Sequence, residues 1–261
     1  MKARPVIIAH RGFSGRFPEN TLRAFGEALK LPIDAIELDV RKTLDGALVV
    51  MHDETVDRTT QGSGRIGNLT WDEIKKLDAG IWKGEEFAGE RVPSLDEALE
   101  FIKGQTMLLI EIKEPGTEAQ IVEAIYRHNA LGWVNLVSFH AEAIALAKKM
   151  VPQISYTLIG GEPVGSSDMA FSDFIRATFS CGANSVTVHY SALTAQRILY
   201  CHRRYLFVGA WTVDTEELAK QLFSMGVDAI ASNFPDIVLS AQFPDCRQTA
   251  LGAHDSESLG V

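Results

Sequence analysis

The sequence lacks the features that mark a membrane or secreted protein. None of its apolar runs approaches the roughly 18 residues that a membrane-spanning helix needs, so we predict no transmembrane span. The N-terminal residues enter a strand pattern without a separate hydrophobic leader and a small-residue cleavage site, which favours a cytoplasmic location. Cysteine is scarce, and its odd number and wide spacing indicate reduced thiols rather than disulfides or a zinc site (Cys181, Cys201, Cys246).

The sequence also has fewer basic than acidic residues. The formal net charge is -9, from 25 Lys and Arg against 34 Asp and Glu. Because binding to a nucleic-acid backbone depends on clustered Lys and Arg, we expect no nucleic-acid partner. A small anionic substrate remains compatible with this balance, since a metal ion or two cations in a cleft can outweigh a diffuse negative surface.

Two common catalytic signatures are missing or incomplete. The chain contains no G-x-S-x-G segment, which excludes the commonest nucleophile elbow of the serine hydrolases. Residues 62–67 match G-x-G-x-x-G by spacing, but no strand pattern precedes them, so we expect no dinucleotide site there.

The chain does contain a regular alternation of strand and helix patterns. Strand patterns begin at residues 6, 35, 107, 134, 154, 185, 206 and 229, and residues 48–52 extend the second unit. Eight such units are the number that closes a parallel barrel, whereas an open doubly wound sheet needs fewer strands and usually a glycine loop after the first. The predicted fold is therefore α/β, a (β/α)8 TIM barrel.

The alternation predicts one barrel domain over residues 1–243. Residues 53–93 interrupt the rhythm with six glycines, three aromatic residues and a short helix pattern, and we expect them to form a small insertion after the second strand. Residues 244–261 are polar and aperiodic, so we expect a mobile C-terminal tail.

Two strand patterns end in histidine, which makes their ends candidate catalytic positions. The first leads into His10 and Arg11, and the pattern at 48–52 ends in His52. An imidazole that titrates near neutrality beside a cation that can grip an anion in bidentate fashion suits the chemistry of a phosphate ester. Two imidazoles suit a displacement in which one takes a proton and the other gives one. For two further histidines at strand ends, a place in the cleft stays open (His140, His189).

Charged residues alternate with apolar ones in two of the strand patterns. Glu37 and Asp39 do so in the second strand, and Glu111 and Lys113 in the third. Carboxylates converging on one end of a barrel would repel each other and lose hydration, and a hard divalent cation would compensate for both. In the alternative interpretation, the acids form solvated ion pairs with nearby cations (Arg41, Lys42, Lys113). Their branched apolar neighbours favour the cation site.

Taken together, several separated segments resemble the glycerophosphodiester phosphodiesterase family. They are His10-Arg11-Gly12, Pro18-Glu19-Asn20-Thr21, Glu37-Leu38-Asp39-Val40, His52-Asp53 and Glu111-Ile112-Lys113. Their order and spacing also match through Ser138-Phe139, Trp211-Thr212-Val213 and Ser232-Asn233-Phe234-Pro235-Asp236. The resemblance implies a (β/α)8 barrel with an insertion after the second strand. It also implies metal-dependent hydrolysis of glycerophosphodiesters to sn-glycerol 3-phosphate and an alcohol.

Matched position by position, the resemblance implies a role for each candidate residue. His10 and His52 would be the acid/base pair. Glu37, Asp39 and Glu111 would be ligands of one divalent cation, Mg²⁺ or Ca²⁺, with Mn²⁺ as a further option.

The resemblance assigns four more residues to the substrate. Arg11 and Lys113 would hold the phosphate oxygens. Phe13 and Trp211 would shape the pocket for the glycerol moiety, with packing at the barrel end as an equal alternative. The turn at 18–21 would be structural and would fix the loop that carries Arg11.

The expected partner is a small-molecule glycerophosphodiester, without stable membrane insertion, and a homo-oligomer is left open. The nearest alternative is a lysophospholipase D-like or other lipid phosphodiesterase, in which aromatic residues of the insertion would meet a membrane surface. These aromatic residues are Trp71, Trp82 and Phe87. A second alternative is a non-catalytic binding barrel, which would have no need of two proton-transfer groups beside a metal.

Overall fold

A closed barrel forms the centre of the computed structural model, which describes residues 4–242. Within these residues the strands are β1 (Val6–His10), β2 (Ala35–Lys42), β3 (Leu48–Val50), β4 (Met107–Ile112), β5 (Val134–Ser138), β6 (Tyr156–Gly160), β7 (Ser185–His189), β8 (Phe207–Trp211) and β9 (Ala229–Ser232). All except β3 pair in parallel, in the order β1-β9-β8-β7-β6-β5-β4-β2, and β1 pairs with β2 to close the circle. The predicted (β/α)8 barrel is confirmed.

The short strand β3 is not one of the strands that form the barrel. It pairs antiparallel with the end of β2, with Val50 opposite Val40. This hairpin extends the second unit, as the sequence predicts. Its return strand brings the chain back to the barrel mouth, where the Met51 amide donates to the Asp39 carbonyl at 2.9 Å.

Helices surround the barrel. They are α1 (Leu22–Leu29), α2 (Trp71–Ile74), α3 (Leu95–Ile102), α4 (Glu118–Arg127), α5 (Ala141–Met150), α6 (Asp168–Cys181), α7 (Ala195–His202), α8 (Glu216–Met225) and α9 (Pro235–Gln242). The outward side chains of β2, such as Ile36 and Leu38, are fully buried in one cluster with Phe25 of α1 and Leu99 of α3. Successive side chains of a strand point to opposite faces. Because the apolar side chains of β2 are buried against the helices, the alternate side chains, including Glu37, face the barrel interior.

Segment 53–93 holds only short helical turns and α2 between its loops. A small apolar cluster supports it, in which Val56, Ile66 and Ile74 pack together with Val49 of β3. Lys83 Nζ donates to the carbonyl of Ser14 at 2.8 Å, which fastens the segment to the loop after β1. The division of the chain into one domain with an insertion stays a prediction, and the predicted tail at 244–261 lies outside the described residues.

None of the helices over residues 4–242 combines the length and the apolar character that a bilayer crossing requires.

Candidate active site

The end of β1 and the loop after it bring a histidine and an arginine to the mouth of the barrel. Arg11 has a left-handed backbone, with φ of 57°, and Gly12 follows with φ of 80°. A Cβ at Gly12 would lie only 2.7 Å from the backbone carbonyl carbon of Ala24, so this position requires glycine. The turn directs the Arg11 amide toward Glu37, and the amide donates to Glu37 Oε2 at 3.0 Å.

Three buried carboxylates meet at this mouth. Glu37 and Asp39 come from β2 and Glu111 from β4, where it lies opposite Asp39 in the parallel register. Each offers an oxygen within 4.8 Å of the others. Burial, followed by repulsion from Asp39, raises the pKa of Glu37 well above its usual range and that of Glu111 to about 7. Burial acts the same way on Asp39, but Arg11 and Lys113 outweigh it and hold its pKa well below the usual range.

Two cations offset part of the negative charge. Arg11 Nε lies 3.2 Å from Asp39 Oδ2. Lys113 Nζ lies 2.7 Å from Glu111 Oε1 and 3.3 Å from Asp39 Oδ1. Asp39 and Glu111 therefore pair with cations inside the barrel mouth rather than as solvated surface bridges, because all three carboxylates are at most 6 % exposed.

The carboxylates retain unused oxygen atoms that suit a metal ion. Among the described residues, the buried Glu37 Oε1 accepts no hydrogen bond, and the buried Asp39 Oδ1 has Lys113 Nζ as an ion-pair partner at 3.3 Å but accepts no hydrogen bond. A buried acceptor without a donor costs free energy unless another group satisfies it. Because the donor set is all oxygen, it fits a hard divalent cation such as Mg²⁺ or Ca²⁺.

Both histidines are oriented by a hydrogen bond at Nδ1. Asn233 Nδ2 donates to Asp214 Oδ2 at 2.7 Å, which turns Asn233 Oδ1 toward His10 Nδ1 at 2.8 Å. The Nδ1 of His10 therefore carries the proton, and its Nε2, 3.9 Å from Glu37 Oε2, has a free lone pair. His52 Nδ1 lies 2.7 Å from Asp53 Oδ1 in the same way. Burial, with Arg11 adding to it, lowers the pKa of His10 to about 4, and burial also lowers that of His52.

A cavity continues from these groups into the barrel. Its polar end holds His10, His52, Glu37 and Glu111, and its far side is apolar and aromatic, with Trp211. Trp211 Nε1 donates to the carbonyl of Gly160 at 3.2 Å, and its ring meets the Phe139 ring edge to face at 5.5 Å.

Phe13 takes a different position from Trp211. It is 7 % exposed, and its ring packs edge to face on Phe17 at 5.6 Å. It is not among the residues that line the cavity. The geometry of Phe13 therefore favours the packing alternative, whereas that of Trp211 favours a place in the pocket.

Some side chains at the site were not singled out for a role by the sequence patterns. Asn233 and Asp53 hold the histidines, and Arg58 reaches Glu19 and Asp53 from the insertion. The position of Asp53 directly after His52 is a signal that could have identified it. Asn233 pairs with a residue 223 positions away, which no local pattern encodes.

The contacts of the turn at 18–21 agree with the expectation that it fixes the loop that carries Arg11. Glu19 Oε1 accepts from Arg11 Nη1 at 2.9 Å. Asn20 Nδ2 donates to Asp39 Oδ2 at 2.8 Å. Of the two histidines left open, His189 meets the Trp211 ring edge to face at 5.6 Å, and His140 is 41 % exposed beside Glu142.

Comparison with known proteins agrees with this geometry. The model of the Glycerophosphoryl diester phosphodiesterase family matches residues 10–237. The chain belongs to this family. A glycerophosphodiester phosphodiesterase of Caldanaerobacter subterraneus subsp. tengcongensis is 38 % identical over 243 residues, covering 91 % of this chain and 97 % of the relative. One from Bacillus altitudinis is 33 % identical over 237 residues, covering 88 % and 95 %.

Solved structures resemble the barrel as a whole. A phosphodiesterase of Oleispira antarctica in complex with the product sn-glycerol-3-phosphate superposes with a TM-score of 0.83 at 32 % identity, covering 91 % of this chain and 96 % of its own. A glycerophosphodiester phosphodiesterase of Agrobacterium tumefaciens gives a TM-score of 0.78 at 28 % identity, covering 90 % and 99 %. Both cover at least 90 % of this chain, so the similarity extends over most of the fold.

Proposed function

We propose that this chain hydrolyses glycerophosphodiesters to sn-glycerol 3-phosphate and an alcohol, with one divalent cation bound by Glu37, Asp39 and Glu111. The observation that carries the proposal is the meeting of these three buried carboxylates with His10 and His52 at one end of the barrel. The product bound by the Oleispira relative supports the choice of substrate class.

Arg11 and Lys113 bind the nonbridging phosphate oxygens in this mechanism. Both cations already lie against the carboxylates and are mostly buried, so they act on developing negative charge at low effective dielectric. A divalent cation held by the three carboxylates would add Lewis-acid stabilisation of the same oxygens. Glycerol contacts the aromatic wall that Trp211 provides.

The two histidines move protons. At neutral pH both imidazoles are mainly uncharged because burial lowers their pKa values. One Nε2 takes the proton of the nucleophile. The other histidine takes a proton from solvent at Nε2, so that it acts as the imidazolium, and it gives this proton to the departing alkoxide. The nucleophile is either water or the neighbouring glycerol hydroxyl, and single turnover in ¹⁸O water with trapping of a cyclic glycerophosphate distinguishes them.

The test is a turnover panel of water-soluble glycerophosphodiesters with Mg²⁺, Ca²⁺ or Mn²⁺. We expect sn-glycerol 3-phosphate release from at least one substrate, loss of turnover in chelator and recovery with one of the metals. Absence of hydrolysis with every metal would contradict the proposal. Lysophospholipid vesicles form a separate arm, and faster turnover there would favour the lipid phosphodiesterase.

We also propose a cytoplasmic location. Cys181 and Cys201 are buried free thiols, and burial raises the pKa of each, so both stay protonated. Free thiols are typical of reducing compartments. Cys246 lies outside the described residues. Fractionation of the native cells tests the location.

A further inference from the structure

Arg58 of the insertion joins two parts of the site without touching the cavity. Its guanidinium donates to Glu19 through Nη1 at 2.9 Å and through Nη2 at 2.8 Å. The same guanidinium donates to Asp53 through Nε at 2.6 Å and through Nη2 at 3.1 Å. One side chain therefore holds both oxygens of two different carboxylates.

Each of these carboxylates in turn holds a proposed site residue. Glu19 Oε1 accepts from Arg11 Nη1 at 2.9 Å, and Asp53 Oδ1 lies 2.7 Å from His52 Nδ1. An unbroken line of side chains thus runs from Arg11 through Glu19, Arg58 and Asp53 to His52. It connects the loop after β1 with the loop after β3, two segments that no strand pairing joins directly.

The geometry makes this network stronger than an ordinary surface bridge. Isolated exposed ion pairs contribute little, but bidentate arginine pairs and networks of several charges are the exceptions. The Glu19 side chain is 12 % exposed and that of Asp53 28 %, so water screens them only in part. Removing Arg58 would leave both carboxylates without their shared cation.

We propose that Arg58 is a positioning residue that sets Arg11 and His52 relative to each other through Glu19 and Asp53. The insertion thereby takes part in the proposed reaction, although Arg58 itself touches neither the cavity nor the carboxylate cluster. The kinetic consequence rests on the proposed function, whereas the orientation of His52 can be measured without any substrate.

The kinetic test compares Arg58→Ala and Arg58→Lys with Arg65→Ala. Arg65 is a matched control, because it also lies in the insertion and pairs with Glu54 at 2.6 Å, both largely exposed. Loss of an outer partner of this kind typically costs about 10–100-fold, so we expect Arg58→Ala to lower kcat by that factor with metal affinity unchanged. Lysine cannot reproduce the fork of donors, so Arg58→Lys should recover only part of the loss. Arg65→Ala should stay within about twofold of wild type, as an isolated exposed pair implies.

Two readouts separate positioning from a general structural effect. Millimolar guanidinium should restore part of the turnover of Arg58→Ala and none of that of His52→Ala. In ¹⁵N NMR spectra, His52 should carry its proton on Nδ1 in the wild-type protein and exchange between both nitrogens in Arg58→Ala. If Arg58→Ala does not fold, Arg58→Lys supplies the same two readouts at smaller amplitude.

The inference is overturned if the Arg58 variants match Arg65→Ala in turnover, or if their His52 spectrum is that of wild type. A wild-type protein that hydrolyses no glycerophosphodiester would instead contradict the proposed function, and the NMR comparison would still decide the role of Arg58.

Discussion

At the scale of single residues, burial acts in opposite directions on the two kinds of titratable group in the site. It raises the pKa of Glu37 and Glu111, and it lowers the pKa of His10 and His52. In each case the uncharged form is favoured because a charged group loses hydration inside the barrel. Both imidazoles are thus available as proton acceptors at neutral pH, and the carboxylates gain from a cation.

The proton-transfer role predicts a specific loss in two variants. His10→Ala and His52→Ala should each lower kcat by about 10²–10⁴-fold, the usual effect of removing an acid/base group, with the fold retained. Steady-state kinetics measure kcat, and circular dichroism shows whether the fold is retained. His140→Ala is the matched control, since that side chain is 41 % exposed and should leave kcat unchanged. Near-normal turnover in either site variant would contradict the assignment.

The carboxylate role predicts a change in metal affinity. Glu37→Gln removes a charged oxygen ligand, so Mn²⁺ affinity measured by calorimetry should fall by at least about 100-fold, more than the loss of an outer partner. Glu54→Gln, at a surface ion pair, should bind Mn²⁺ as wild type does. Equal affinities in the two variants would remove Glu37 from the ligand set.

The sequence allowed part of the site to be predicted at this scale. Glu37, Asp39 and Glu111 could be grouped because strand alternation determines which side chains face one interior. Arg58 could not be found in this way, because it bonds to Glu19 across 39 positions and lies in a segment without regular periodicity. For Phe13 the sequence pattern does not distinguish between two positions, since an aromatic residue after a strand fits a pocket wall and a packed core equally well.

At the scale of elements, the loop after β1 and helix α1 act as one unit. Gly12 lies directly on the backbone of Ala24 in α1, and the Phe13 amide donates to the Ala24 carbonyl at 3.0 Å. Thr21 caps the same helix, its Oγ1 accepting from the Ala24 amide at 3.2 Å. The helix therefore determines where the loop presents Arg11.

This contact predicts that Gly12→Ala harms both stability and turnover. An added Cβ meets the Ala24 carbonyl carbon at 2.7 Å, and a left-handed alanine costs on the order of 1 kcal/mol before any clash. We expect a lower midpoint of urea unfolding. Because Arg11 is displaced, the fall in kcat/KM, expressed as a free energy, should exceed the fall in the free energy of unfolding. Gly67→Ala, in open space within the insertion, is the control. A wild-type kcat/KM in Gly12→Ala would contradict the coupling of loop and helix.

Element positions were more predictable than element ends. The alternating runs identify the strands because burial imposes their periodicity. Residues 154–159 illustrate the limit, since pairing begins only at Tyr156, opposite Leu136. Ile154 is buried in the preceding turn, so its apolar character reflects packing rather than strand hydrogen bonds.

At the scale of the whole molecule, closure of the barrel brings together acids that are distant in sequence, and stability should depend on their ionisation. The pKa of Glu111 is about 7 in the folded protein against 4.5 for a free glutamate. Its favourable contribution is therefore present below about pH 4.5 and is lost as the pH rises toward and through 7. In the metal-free protein above pH 7, the loss is on the order of 3 kcal/mol.

Glu111→Gln should consequently stabilise the metal-free protein at alkaline pH. In chelator at pH 8–9 its free energy of unfolding should exceed that of wild type, and the difference should vanish near pH 4, where Glu111 is protonated in both states. Saturating Mn²⁺ should raise the wild-type Tm and have a smaller effect on the variant. Denaturant titrations across pH measure the difference. A variant less stable than wild type at pH 8 would contradict burial and repulsion from Asp39 as the cause of the raised pKa of Glu111.

The most direct test of the account is an anomalous difference map from crystals soaked in Mn²⁺ and sn-glycerol 3-phosphate. We predict one strong metal peak bounded by carboxylate oxygens of Glu37, Asp39 and Glu111, with the phosphate between that peak and the two histidines. A metal peak elsewhere on the protein, or a product bound away from His10 and His52, would contradict it.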